Sequence, residues 1–149
     1  MMTSLFPYLN FDGNAKEATH YYLEALDGEL LGITTFGEAP KDDSIESVES
    51  EEFSLPPGVE DLIMNAQIRL KNGAMLMISD VFPGREFHDG NNLSLTLTYD
   101  DVEEARAVFN RLAEGGSIGM ELQQTFWSPL YGSLKDRYGV EWQISVDAV

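Results

Sequence analysis

Two stretches of this chain occur twice. Gly139-Val140-Glu141-Trp142-Gln143-Ile144-Ser145 lines up, sixty-six residues back, with Gly73-Ala74-Met75-Leu76-Met77-Ile78-Ser79. A second echo runs at a spacing of eighty-seven, where Glu104-Ala105, Phe109, Glu114 and Gly115 repeat Glu17-Ala18, Tyr22, Asp27 and Gly28. Two matches in the same order, each inside the same kind of local pattern, make the chain two copies of one unit. A duplicated unit restricts the fold more than any compositional figure, because whatever the first half forms the second half must form again.

Local patterns say what that unit is. Residues 5–11 read as a strand, with Pro7 placing it at an edge because proline has no N–H to give to a ladder. Asn14 reads as a helix cap with Glu17 as its capping-box partner, and Ala15, Ala18, Tyr22 and Leu26 form an apolar stripe at helical spacing up to Gly28, where the helix is expected to stop. Residues 29–36 read as the next strand. Residues 63–70 alternate Met64, Ala66, Ile68 and Leu70 with Asn65, Gln67 and Arg69, and Asn72-Gly73 turns that strand into another at 74–80. The second half repeats the order. Leu93, Leu95 and Leu97 alternate with Ser94, Thr96 and Thr98; Asp101 and Glu104 form a capping pair; and Val102, Ala105, Phe109 and Leu112 make the helical stripe, closed by Gly115-Gly116. Three strands follow at 118–124, 130–136 and 140–146. The expectation is an α+β fold of two βαβββ modules, at about 5–80 and 92–147, joined by a connector at 81–91 within a single domain spanning 1–149.

Several functions are excluded or disfavoured by composition. The chain has no cysteine, which removes disulfides, thiolate metal sites and cysteine nucleophiles. Its formal charge of −17, from 26 acids against 9 bases, repels phosphate backbones and anionic headgroups, so neither nucleic acid nor a membrane surface is expected as a partner. That surface serves solubility or a cationic partner. No apolar run reaches the ~20 residues that span a bilayer, and MMTSLFPYLN has no secretory pattern, so a cytoplasmic location is expected. Residues 38–61 carry nine acids and one lysine around Pro56-Pro57-Gly58 and read as a long loop, either a lid or a solvated insertion.

At this point the residues resemble the vicinal oxygen chelate, or glyoxalase/bleomycin-resistance/dioxygenase, superfamily, and within it the PhnB-like branch. The carriers are Pro7-Tyr8-Leu9 with Gly13-Asn14 and Ala18, Tyr21 and Tyr22; Phe36-Gly37-Glu38; Met64-Asn65-Ala66 leading to Ser79-Asp80; and Phe126-Trp127 through Tyr131-Gly132, Asp136, Gly139 and Trp142. The resemblance covers nearly the whole chain. It implies sheets that curl into a cup with helices packed outside, a ligand held inside and a homodimer. It also implies that metal-dependent relatives draw ligands from the first and last strand of each module, which by motif are Pro7, Met77, Ser94 and Gln143 here. None is a histidine or carboxylate, so the expectation is no metal or other cofactor, with a divalent metal as the alternative.

Strand alternation then picks the inner face. If Met77 and Gln143 point into the cup, so do Met75, Ser79, Glu141 and Ser145, while Leu76, Ile78, Trp142 and Ile144 face the helices. Ser94, Thr96 and Thr98 join them, with Asn65, Gln67 and Arg69 as neighbours. The expected ligand-lining set is Asn65, Gln67, Arg69, Met75, Met77, Ser94, Thr96, Trp127, Glu141 and Gln143. Glu141 serves as a proton acceptor or pairs with Arg69. Trp127 is an aromatic wall for a planar ligand or a core residue.

Three functions fit this set. One is a module that binds a small molecule in a metal-free polar cup. A second is an enzyme of lyase, isomerase or dioxygenase type, using Glu141 or a displaced metal site at His20, His88 or Asp80. The third is a structural dimer whose cup is filled by water or by the partner subunit. His20, His88 and Arg85 otherwise read as surface residues. Gly115-Gly116-Ser117-Ile118-Gly119 follows a helix and so lacks the strand-to-helix context of a nucleotide loop, and Ser133 lacks the glycine of a nucleophile elbow.

Overall fold

The computed structural model describes residues 1–38 and 58–147. The chain divides into two compact units, Met1–Phe87 and His88–Val149. In the first, β1 (Tyr8–Phe11), α1 (Ala15–Ala25), β2 (Glu29–Thr35), β3 (Ile63–Arg69) and β4 (Met75–Asp80) form a mixed sheet in the order β1-β4-β3-β2, with β1 parallel to β4. In the second, β5 (Leu95–Tyr99), α2 (Val102–Ala113), β6 (Ser117–Gln123), β7 (Tyr131–Lys135) and β8 (Glu141–Val146) form a second sheet in the order β5-β8-β7-β6, with β5 parallel to β8. The βαβββ order is realised twice with the same topology. A 3-10 turn at Val59–Asp61 precedes β3. The lid or insertion expected over 38–61 falls, for residues 39–57, outside the described residues.

Each helix covers one face of its own sheet. Ala15, Ala18 and Tyr22 of α1 are buried with Ala66, Ile68, Leu76 and Ile78; Ala105, Val108, Phe109 and Leu112 of α2 are buried with Leu134, Trp142 and Ile144. These are the residues that period-2 and period-3.6 spacing assign to the helix side. Val108 joins the stripe of α2, while Val102 at its start is half-buried.

The two helices begin differently. Asp101 caps α2 as expected, its Oδ2 accepting from the Glu104 N–H at 2.9 Å. Asn14 makes no side-chain cap. Its part is taken by Asp80 at the end of β4, whose Oδ1 accepts from the N–H groups of Gly13 and Ala15 at 2.9 Å each, while Oδ2 accepts from the Ile63 N–H at 2.9 Å. One buried carboxylate thus joins α1, β3 and β4.

The helix ends correct a second expectation. In the first unit the left-handed residue is Asp27 (φ 53°), not Gly28; Gly28 is needed because a Cβ there would meet Ile68 Cγ2 at 2.6 Å. In the second unit Gly115 takes the left-handed conformation (φ 79°), and Gly116 lies where a Cβ would be 2.2 Å from the Lys135 carbonyl oxygen. The strand starts also move. Tyr8 pairs with Met77 and Thr96 with Gln143, so Pro7 and Ser94 each precede the regular ladder. Pro7 still acts in it, because its carbonyl accepts from the Met77 N–H at 3.1 Å. β1 lies at a sheet edge, where the proline placed it.

Tyr99, at the end of β5, gives the fold an alkaline limit. Burial, and then the Glu104 carboxylate, push its phenol above the ordinary value of 10.0, with Arg111 opposing. The folded state therefore holds this proton more tightly than the unfolded state. Its contribution is fully present below pH 10 and is lost as pH rises through the raised value. Tyr99→Phe is expected to flatten the decline of the unfolding free energy above pH 10, measured by urea titrations at stepped pH; an unchanged slope would remove Tyr99 from this role.

Candidate functional site

The face of the second sheet opposite α2 bears a cavity of about 430 Å³, within the range of small-molecule sites. Alternation directs Tyr131, Ser133 and Lys135 of β7 and Glu141, Gln143 and Ser145 of β8 to this face, and the antiparallel register sets them side by side: Tyr131 with Ser145, Ser133 with Gln143, Lys135 with Glu141. Ser94, ahead of β5, and Ser117, Ile118 and Gly119 of β6 complete the walls. Gly119 permits close approach, since a Cβ there would meet Ser133 Oγ at 2.9 Å.

Gln143 is held on both sides. The Tyr131 hydroxyl donates to its Oε1 at 2.6 Å, and its Nε2 donates to Ser94 Oγ at 2.8 Å. The amide is thereby fixed in one orientation. Outside the cavity, Trp127 packs edge-on against Tyr131 with ring centroids 5.3 Å apart and against Phe126 at 4.7 Å. Trp127 is 48% exposed and Phe126 97% exposed, so the core role considered for Trp127 is replaced by an open aromatic corner adjoining Tyr131.

The first unit carries a comparable polar face. Asn65 Nδ2 donates to the Tyr8 hydroxyl at 3.1 Å and approaches Met77 Sδ at 3.8 Å, and Gln67 Nε2 donates to Asn65 Oδ1 at 3.2 Å. Ser79 Oγ donates to Asn10 Oδ1 at 3.0 Å. Met75 lies opposite Arg69, which is exposed.

Ser94, Glu141 and Gln143 of the expected set line the second-unit cavity. Thr96 neighbours Gln143 in the ladder, and Trp127 reaches the site through Tyr131. Asn65, Gln67 and Met77 join in the separate first-unit network, with Arg69 and Met75 at the end of its strands. The strand neighbour of Glu141 is Lys135. Tyr131, Ser133, Lys135 and Tyr8 were missed as site residues, although adding the sixty-six-residue spacing to Asn65, Gln67 and Arg69 leads directly to Tyr131, Ser133 and Lys135.

The donors at the motif-assigned metal positions are a thioether, a hydroxyl and an amide already joined to two neighbours, together with a proline that has no donor side chain. Hard and borderline divalent metals are held by imidazole and carboxylate, so these residues do not fit one. Asp80, considered for a displaced site, has both oxygens on backbone N–H groups. His20 and His88 are exposed. Among the described residues no three His, Asp or Glu side chains are placed to share an ion.

Residues 3–145 match the family described as 3-demethylubiquinone-9 3-methyltransferase. The chain belongs to that family. It is 37% identical over 146 residues to Protein YjdN of Escherichia coli (strain K12), covering 95% of this chain and 94% of that one. It is 30% identical to a structure described as a putative 3-demethylubiquinone-9 3-methyltransferase, PhnB protein, from Bacillus cereus, with a TM-score of 0.74 and coverage of 97% and 99%. This supports the PhnB-like branch of the resemblance. The fold extends further: a glyoxylase/bleomycin resistance protein/dioxygenase domain from Frankia sp. EAN1pec superposes with a TM-score of 0.65 at 12% identity, covering 99% of this chain and 100% of that chain. The family member described here therefore has the glyoxalase/bleomycin-resistance type of α+β fold. Among its described residues no helix is long and apolar enough to cross a membrane.

Proposed function

We propose that this PhnB-like protein binds a small molecule, without a metal, in the cavity of its second unit. The observation that carries this reading is the Tyr131–Gln143–Ser94 chain, which holds an amide rigidly at a position where metal-dependent relatives would need a ligand. Fixed uncharged donors and acceptors around an open volume orient a ligand through hydrogen bonds, and their preorganisation lowers the entropy lost on binding. The glycines after α2 lend no support to the methyltransferase of the family description, because Gly116 and Gly119 are explained by close contacts with Lys135 and Ser133. Glu141 lines the cavity and supports a second reading, a lyase or isomerase with Glu141 as base; Glu141→Gln would then abolish turnover.

A cytoplasmic homodimer is part of the proposal. The edge strands β2 and β6 expose Leu30, Leu31, Ile118 and Met120, and paired edges are a common means of covering such strands. Sedimentation should give twice the monomer mass; a monomer at micromolar concentration would contradict this part.

Two measurements test the cavity. Added Ni²⁺, Zn²⁺, Mn²⁺ or Fe²⁺ should leave thermal stability unchanged, because a metal bound to the native state raises it by mass action. Ser133→Trp should fill the cavity and remove small-molecule binding while circular dichroism stays native. Tight stoichiometric binding of one metal would reverse the metal-free reading, and unimpaired ligand binding by the filled variant would move the site elsewhere.

A further inference from the structure

Resting on the cavity reading above, we propose that its ligand is a small zwitterion of amino-acid type, with its anionic group on the Lys135 ammonium and its own ammonium on the Glu141 carboxylate. Lys135 and Glu141 are directly opposed across β7 and β8, on the same face, and both line the cavity. Lysine and glutamate at such a register ordinarily close on one another. Here they do not: both are half-buried, and neither side chain has a hydrogen-bond or ion-pair partner among the described residues. The cavity therefore presents one cationic and one anionic group, each with its bonding capacity open.

Charge narrows the ligand class. On a chain of net charge −17, an anion is repelled at long range, while a simple cation is attracted over the whole surface and gains little selectivity from this cavity. A molecule with both charges is neutral overall and alone engages both side chains, each through a charge-assisted hydrogen bond. Ser133, between Lys135 and Tyr131 on the same face of β7, and the fixed Gln143 amide beside it supply uncharged contacts for the remainder of the molecule.

Isothermal calorimetry on the full chain tests this with the free amino acids, their N-acetyl derivatives and their C-terminal amides. At least one free amino acid should bind, and blocking either end should weaken it by about tenfold or more. Lys135→Met should erase the preference for the free carboxylate over the amide, and Glu141→Gln the preference for the free amine over the N-acetyl form. The inference is overturned if blocked and free forms bind alike, if neither substitution alters its own preference, or if no free amino acid binds. Binding of uncharged molecules that is lost in Ser133→Trp, with no zwitterion bound, overturns the inference and leaves the cavity reading standing. Zwitterion binding that survives Ser133→Trp overturns both.

Discussion

Replacing Asp80 by alanine is expected to lower the unfolding free energy by ~3–5 kcal/mol, from the loss of three hydrogen bonds to a charged group. The carboxylate is 4% exposed and accepts from three backbone N–H groups, on Gly13, Ala15 and Ile63, drawn from both ends of the first unit's sequence. Alanine leaves the Ala15 and Ile63 donors without a partner where they are buried, at a cost of about 1–3 kcal/mol each, while the part-buried Gly13 N–H can turn to water. It also uncaps α1, because Asn14 makes no cap of its own. Asp80→Asn retains the shape and one acceptor and should fall between wild type and Asp80→Ala. Urea unfolding with an unchanged slope measures the difference. A loss below ~1 kcal/mol would mean that the N–H groups find other acceptors and that Asp80 does not join the helix to its sheet.

Asp136→Ala is expected to have a comparable effect in the second unit, with a spectroscopic signature. Asp136 Oδ1 accepts from the N–H groups of Tyr138 and Val140 at 2.8 and 3.1 Å, and Oδ2 accepts from the Trp142 indole N–H at 2.8 Å. These bonds shape the turn that sets β7 against β8, and with them the register that brings Lys135 beside Glu141 and Ser133 beside Gln143. Both Asp136 and Trp142 are buried, so the expected loss is ~3 kcal/mol or more. The chain has two tryptophans, and Trp127 is already 48% exposed, so a red shift of native emission on substitution reports Trp142. Native emission unchanged together with a small stability loss would show that core packing alone holds the indole.

Such long-range bonds mark the boundary between what was legible in the residues and what was not. The duplication, the element order and the division of each strand into a helix-facing and an open side were all legible. Ala18 and Ala105, Tyr22 and Phe109, and Ile78 and Ile144 occupy matching buried places because the helical and strand periods are local properties of the chain. Gly73 and Gly139, which begin the first echo, both take positive φ (89° and 90°) at the turns into β4 and β8. A turn of that hand excludes most other residues. The helix-end echo misled by one position, since Asp27-Gly28 and Glu114-Gly115 match as letters while the left-handed residues are Asp27 and Gly115. The assigned first-strand positions slip too, by one residue from Pro7 to Tyr8 and by two from Ser94 to Thr96, the true partners of Met77 and Gln143.

The site divides in the same way. Its polar character, its lack of strong metal donors and the inward direction of Glu141 and Gln143 follow from residue types and alternation. Tertiary structure alone decided that Asp80 caps a helix 65 residues away in sequence, that Gln143 is held between Tyr131 and Ser94, and that Glu141 lies beside Lys135. Periodicity tells each residue which way to point. Which neighbour it meets depends on strand register and chain reversal, and these arise from pairing between segments far apart in the chain.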